Sequence, residues 1–333
     1  MKKKNIGICT LYHSYNFGAF LQAFALQEFL KKKGYNVEFI KLGGKNYEKF
    51  IYLKNKNLKK MLYNFGQSKK FEKNFRLLNI SKKHNVNYDV AIVGSDEIWN
   101  ISNPSFIHHD CFFGEKLNCN KVISYAPSCN NVTNDVLHNY KKNYDFKKID
   151  HVSVRDINTY NLVKEVANIQ AEIVLDPTFL HGDYDSLIKK IDLTNYIAVY
   201  GYEFSEKQVL NAKRFAKSHN LKLVSLGLFN EWCDFNIKMD AFEFLSYIKY
   251  SKYVITSTFH GTIFSILLKK DFVVFSNKKS KIIYLLKEFE LDDRDYTEKS
   301  FMEISEIDYK KVDKVKLVLK DKSENWLLNA IEK

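Results

Sequence analysis

The sequence is short of several things, and each shortage argues against a class of protein. Three prolines in 333 residues and no repetitive stretch argue against a fibrous or disordered chain. The five cysteines, Cys9, Cys111, Cys119, Cys129 and Cys233, are odd in number and include no Cys-x-x-Cys pair. They read as reduced thiols rather than a disulfide framework. No apolar run approaches the ~18 residues of a membrane-spanning helix. The segment after Met1 passes through Lys2-Lys3-Lys4 straight into a strand pattern, without the apolar stretch and cleavage site of a secretory signal. The expected location is the cytosol. Arginine is also scarce: Arg76, Arg155, Arg214 and Arg294 are the four among 52 basic residues.

What is present is a chain able to bury large cores, with 45% hydrophobic and 15% aromatic residues. The length suggests about two domains. The formal net charge of +13 comes almost wholly from lysine and attracts anions and anionic membranes. No nucleic-acid motif accompanies it, so no nucleic-acid partner is expected. Residues 54–83 are the most basic stretch and mix Lys with Phe, Tyr and Leu. Two readings stay open there: a basic helical arm against the inner face of a membrane, and a solvated connection.

Strand-like and helix-like runs alternate along the chain. Short β-branched segments fall at 5–10, 36–40, 89–93, 121–125, 151–154 and 172–175. Helical spacing falls at 19–33 and 158–166. A second series has strands at 196–200, 221–226, 252–255 and 272–275, and helices at 206–218, 241–250 and 260–268. Continuous apolar strands separated by helices predict mostly parallel sheets covered on both faces. The expected fold is α/β with two Rossmann-like domains: residues 1–185, residues 186–308, and a basic helix at 309–333 packing back on the first domain. In open α/β sheets ligands bind beyond the carboxyl ends of the strands, so the residues just after each strand are the candidates.

After the first strand, Asn16-Phe17-Gly18 opens a helix, and Gln22 lies one turn in. Free N–H groups there suit an anion or a sugar hydroxyl; a plain tight turn explains them equally. After the third strand comes Gly94-Ser95-Asp96-Glu97-Ile98-Trp99-Asn100. Carboxylates and amides bind sugar hydroxyls and an indole packs on sugar C–H groups; the alternative is that Ser95 or Asp96 caps a helix and Trp99 fills core. Ser124 and Tyr125 end the next strand. Arg155 follows the fifth, where its fork could hold a carboxylate or phosphate; the alternative is an Arg155–Asp156 pair at the surface or at a helix start. Thr256-Ser257-Thr258-Phe259-His260-Gly261 gathers hydroxyls, N–H groups and an imidazole at one helix start. A histidine there suits acid–base work and the helix dipole suits an anion; the alternative is that Ser257 or Thr258 is only a cap and His260 a satisfied core residue. His108-His109-Asp110-Cys111 has metal-ligand residue types, but adjacent side chains diverge, and no metal is expected.

Six of these segments together resemble the polysaccharide pyruvyl transferase family. They are Asn16-Phe17-Gly18-Ala19-Phe20-Leu21-Gln22-Ala23, Gly94-Ser95-Asp96-Glu97-Ile98-Trp99-Asn100, Ser124-Tyr125-Ala126, Val152-Ser153-Val154-Arg155-Asp156, Leu175-Asp176-Pro177-Thr178 and Ser257-Thr258-Phe259-His260-Gly261. The resemblance implies two facing Rossmann-like domains, similar to GT-B glycosyltransferases. It implies transfer of a pyruvyl group from phosphoenolpyruvate, without a further cofactor, to two hydroxyls of one sugar in a cell-surface polysaccharide, such as a bacterial capsule, or its lipid-linked precursor. On this reading His260, Arg155 and Asp96 are catalytic, and Ser257, Thr258, Gly261 and Arg155 bind the donor. Asn16, Gly18, Gln22, Ser95, Asp96, Trp99, Ser124 and Tyr125 bind the acceptor. Some family members carry an arginine two residues before the histidine as a donor ligand; this chain has Thr258, so either Arg155 and a lysine take its place or the chain belongs to a branch with a different donor geometry. The alternatives are a nucleotide-sugar glycosyltransferase and a non-catalytic polysaccharide-associated protein.

Overall fold

In a computed structural model of the protein, residues 3–43, 45–83, 86–103, 108–139 and 146–333 are described. The chain opens with β1 (Asn5–Cys9), α1 (Phe17–Lys32), β2 (Asn36–Phe39), α2 (Lys45–Leu53) and α3 (Leu58–Phe75). It continues through β3 (Val90–Val93), β4 (Val122–Ser124), α4 (Asn134–His138), β5 (His151–Val154), α5 (Ile157–Ala167), β6 (Glu172–Ile173) and α6 (Thr178–His181). The later series is β7 (Tyr196–Tyr200), α7 (Glu206–Ser218), β8 (Lys222–Leu226), β9 (Phe235–Ile237), α8 (Ala241–Tyr250), β10 (Tyr253–Thr256), α9 (Phe259–Leu267), β11 (Phe272–Val274), α10 (Ser280–Glu288) and α11 (Tyr309–Glu332).

The chain divides into two compact units. The first holds Met1–Ile51, Phe75–Gly182 and Leu317–Lys333; the second holds Tyr52–Asn74 and Asp183–Lys316. The domain limits expected from sequence differ from this in three places, the first being the boundary itself, which falls between 182 and 183 rather than between 185 and 186. Residues 52–74 leave the first unit for the second, and α11 is shared, its first turns counted with the second unit and its remainder with the first.

The first unit carries a sheet ordered β2-β1-β3-β4-β5-β6, and all its pairings are parallel. The interior strand β3 is Val-Ala-Ile-Val, buried along its whole length because helices cover both faces. The order reverses at β1, so the crevice of this sheet lies beyond the ends of β1 and β3. The second unit carries a parallel sheet ordered β11-β10-β7-β8-β9. Its central strand β7, Tyr-Ile-Ala-Val-Tyr, is also fully buried. Here the order reverses between β7 and β10.

Helix starts follow their capping residues. Asp156 accepts a hydrogen bond from the Thr159 amide at the head of α5. Ser205 with Gln208, and Asp240 with Glu243, form reciprocal capping boxes on α7 and α8. Such caps contribute about 1 kcal/mol each.

α3 is packed unusually. Its inward face is largely polar: Asn64, Gln67, Ser68 and Asn74 are buried beside Tyr63 and Phe71. Gln67 donates to the Met239 carbonyl at 2.8 Å and accepts from the Met239 amide at 2.9 Å. The Tyr63 hydroxyl donates to the Ile237 carbonyl at 2.8 Å. The helix is thus held on the β9–α8 connection by hydrogen bonds, which is why it belongs to the second unit.

Candidate functional sites of the two units

In the first unit, the crevice end of β1 and β3 is built around a buried charge cluster. Gly94 has φ +121°, and a Cβ on it would overlap the Tyr125 carbonyl, so the chain can turn here only with glycine. Asp96 follows in the left-handed region at φ 73°. That turn brings its carboxylate to Arg155, whose Nη2 lies 3.4 Å from Asp96 Oδ1. Arg155 Nη1 donates to Asp176 Oδ2 at 3.0 Å. Asp176 Oδ1 also accepts from the Thr178 amide and hydroxyl, and Ser95 Oγ stands 3.4 Å from Asp176 Oδ2.

This arrangement corrects the reading of Arg155 as an open fork for the donor. Its side chain is 1% exposed and is matched by two carboxylates. Its evident work is to neutralise Asp176 and to orient Asp96, whose side chain keeps 13% of its surface.

The other residues expected on the acceptor side separate into two groups. Asn16 is exposed and caps α1, its Oδ1 accepting from the Gly18 and Ala19 amides at 2.8 and 3.2 Å. Gln22 is buried, with Nε2 directed to the Ala19 carbonyl and to Thr10 Oγ1. Thr10 donates in turn to the Ser95 carbonyl at 2.9 Å, so a hydrogen-bonded chain ties Gln22 to Ser95, both fully buried, while Asn16 alone of this group is exposed. Trp99, Ser124 and Tyr125 are committed elsewhere. Trp99 is fully buried beside Phe113 and Phe146, its indole N–H on the Phe112 carbonyl at 2.6 Å. Ser124 exchanges hydrogen bonds with Ser153, and the Tyr125 hydroxyl donates to the Leu175 carbonyl. Buried side chains with these partners offer no surface to a sugar.

One group was missed from sequence. Glu48, on α2, is buried, and its Oε2 accepts no hydrogen bond among the described residues. Burial, and secondarily the nearby Asp96 charge, push its pKa up to about 7. Glu48 also acts electrostatically on Tyr12, just past β1. No sequence signal marks it, because it follows no strand end.

In the second unit, the crevice lies between β7 and β10, and the predicted histidine segment opens α9 there. Thr256 Oγ1 donates to the Tyr200 carbonyl at 2.6 Å and accepts from the Thr258 amide at 3.1 Å. Ser257 is buried and its hydroxyl bonds both the Tyr202 carbonyl and the Tyr202 amide. Thr258 caps α9 through the Gly261 amide at 3.0 Å. A Cβ on Gly261 would overlap Thr256 Oγ1, so the helix opens this close to β10 only with glycine. His260 lies in the first turn, 8% exposed, its ring edge-on to Phe259.

The hydroxyls of Ser257 and Thr258 therefore shape the turn, and positive charge comes from a residue that sequence order alone did not single out. Lys279 Nζ donates to the Ser257 carbonyl at 3.2 Å and lies 5.2 Å over the Tyr202 ring. Burial draws its pKa below the ordinary lysine value, opposed by Glu203. Lys281, also buried, stands 6.0 Å from the Phe259 ring centroid.

Among the described residues no group of three or more His, Cys, Asp or Glu side chains could hold a metal ion. No described helix is long and apolar enough to cross a membrane. The curated proteins compared give no match. Solved structures similar to the chain include a functionally uncharacterised protein from Klebsiella pneumoniae, at 13% identity over 88% of this chain and 90% of that one, with a TM-score of 0.48. The UDP-GlcNAc 2-epimerase of Methanocaldococcus jannaschii matches at 9% identity over 96% of this chain and 93% of its own, TM-score 0.48. The Escherichia coli heptosyltransferase WaaC matches at 9% identity over 81% of this chain and 88% of its own, TM-score 0.38. The model of the polysaccharide pyruvyl transferase family matches residues 16–279, from the cap of α1 to the lysine beside Ser257, and the chain belongs to that family.

Proposed function

We propose that the protein transfers the pyruvyl group of phosphoenolpyruvate to two hydroxyls of one sugar, forming a cyclic ketal and releasing phosphate. The observation that carries this reading is the second unit's crevice, where a histidine, a half-buried lysine and the N-terminus of α9 gather. The donor bears a carboxylate and a phosphate, and such groups favour a helix N-terminus with a nearby ammonium.

The chemistry needs a proton at the methylene carbon, which becomes the methyl group. The central carbon then accepts one sugar hydroxyl and loses the phosphate. The second hydroxyl closes the ketal and gives up its proton, so that the two hydroxyl protons balance the new methyl hydrogen and the released hydrogen phosphate. His260 is assigned the proton transfer at the donor. Lys279 is assigned charge compensation for the donor anion, the part that the sequence reading gave to Arg155. Asp96 of the first unit, oriented by Arg155, is assigned to a sugar hydroxyl. The acceptor is a sugar of a cell-surface polysaccharide or of its lipid-linked precursor.

Incubation with phosphoenolpyruvate and candidate glycans should release phosphate and produce a new ketal methyl signal by NMR. His260→Ala should nearly abolish turnover while the fold persists. Lys279→Met should raise the KM for the donor about tenfold or more, the loss of one charge-assisted contact of about 1.5–3 kcal/mol. Consumption of a nucleotide sugar without a ketal would move the assignment to a glycosyltransferase.

A further inference from the structure

α3 is an amphipathic helix turned inside out. Asn64, Gln67 and Ser68 are buried on the second unit together with Tyr63 and Phe71, while a second set of apolar side chains faces solvent. Leu58 is 64% exposed, Met61 37%, Leu62 62% and Phe65 50%. Positions i, i+3, i+4 and i+7 form one continuous stripe along a helix. A stripe of this kind is normally the face a helix buries; here the buried face is already occupied by Tyr63, Gln67 and Phe71.

The surroundings of the stripe identify its partner. From Tyr52 to Phe71 there is no Asp or Glu, and there are six lysines: Lys54, Lys56, Lys59, Lys60, Lys69 and Lys70. Lys69 lies on the stripe itself, its ammonium 4.4 Å over the Phe65 ring. Lys59 and Lys70 reach the carboxylates of Glu231 and Glu243 through exposed pairs, which water and salt screen. An apolar stripe rimmed by lysines without arginine matches a layer of anionic headgroups over hydrocarbon, where long lysine stems lie along the apolar surface and keep their charge in the headgroups. A second copy of the same face would set lysines against lysines. A nucleic-acid backbone would satisfy the lysines and leave the stripe in water.

We infer that the outward face of α3, through Leu58, Met61, Leu62 and Phe65 and the lysines around them, is a docking surface for an anionic lipid bilayer. The helix lies in the plane of the headgroups and does not span the membrane. The inference goes beyond the proposed reaction and does not depend on it, because it is read by binding alone.

The test is flotation of the full-length protein with phosphatidylglycerol-containing vesicles and with neutral phosphatidylcholine vesicles. Binding to the anionic vesicles only, weakening as salt rises, is the expected result. The double variant Leu62→Ser/Phe65→Ser should lower partitioning by about tenfold or more, in line with the burial of two large apolar side chains. Lys59→Gln/Lys60→Gln should lower it as well, and both pairs should keep the parent melting temperature because the substituted side chains are exposed. Failure of the parent protein to float, equal flotation on both vesicle types, or flotation of both variants like the parent overturns the inference. So does a dimer in solution that Leu62→Ser/Phe65→Ser dissociates, which would assign the stripe to a second copy.

Discussion

Glu48 shows what a single buried carboxyl imposes on this fold. Its folded pKa of about 7 lies above the ordinary glutamate value of 4.5. Between these two values the folded protein binds more protons than the unfolded chain, so stability falls as pH rises through that window. The full effect is on the order of 3 kcal/mol at one pKa unit per ~1.4 kcal/mol. Urea unfolding of the parent and of Glu48→Gln across pH 4.5 to 7 should show a shallower decline in the variant; parallel curves would remove Glu48 as the cause. After burial, the nearby Asp96 charge raises the Glu48 pKa, and Glu48 in turn acts on Tyr12. Arg155 behaves differently. Arg155→Met leaves Asp176 buried without its guanidinium, a loss of about 3–5 kcal/mol for a broken buried pair. It should lower the melting temperature as well as turnover, whereas Lys279→Met should change donor KM and leave the melting temperature near the parent's. Strand-end position was enough to single out Arg155, Asp96 and His260 as candidates in the sequence. It did not tell which way a side chain turns, and Trp99, Ser124 and Tyr125 turn into packing. Asp176 lay in a recognised segment, yet its pairing with Arg155 is a contact across 21 residues that no local pattern reports.

At the scale of elements, the strands were the legible part. β7 and β10 are short apolar runs bounded by polar turns, and burial on both faces leaves that pattern in the sequence. α7 and α8 span the residues read as helical in the sequence, and α11 comes within one residue of doing so. α3 was only half legible, a helical arm being one of two readings of residues 54–83, and for a physical reason. Periodicity assumes that apolar residues face the core, and here Gln67 and Asn64 face it instead. β9 escaped notice because it is a three-residue edge strand with one side open. The hydrogen bonds that hold α3 can be tested directly. Gln67→Leu keeps the side-chain volume roughly but leaves the Met239 amide and carbonyl without their partner. Each buried group left unsatisfied costs about 1–3 kcal/mol. The expected loss is about 3 kcal/mol, seen as earlier unfolding of the second unit, with faster amide exchange at Met239 as the local sign. An unchanged exchange rate there would show that apolar packing through Tyr63 and Phe71 holds the helix.

At the scale of the whole molecule, α11 links stability to the charge cluster of the first unit. Its first turns are tied into the second unit: the Tyr309 hydroxyl donates to the Lys270 carbonyl at 2.5 Å, and Asp313 pairs with Lys269 at 2.6 Å. Its later turns complete the first unit. Ser323 accepts from the Leu175 amide at 2.9 Å, Trp326 packs on Tyr125, and Leu327 and Ile331 are fully buried. Lys4 and Tyr35 both reach the Glu332 carboxylate, at 2.8 and 2.7 Å. Leu175 is the residue before Asp176, and Tyr125 donates to the Leu175 carbonyl. Deleting residues 317–333 therefore removes the partner of the segment that carries Asp176, and through Asp176 it loosens Arg155 and Asp96. Burying Leu327 and Ile331 alone stabilises the fold by about 3–6 kcal/mol, enough to threaten a unit whose margin is typically 5–15 kcal/mol. Hydrogen exchange of the truncated chain should show lost protection at β4, β5 and β6, with β7 and β10 retained, and turnover should be lost although His260 and Lys279 are intact. Equal loss of protection in both sheets would instead make the molecule one cooperative unit. Retained protection at β4, β5 and β6 would mean that the charge cluster stands without the terminal helix.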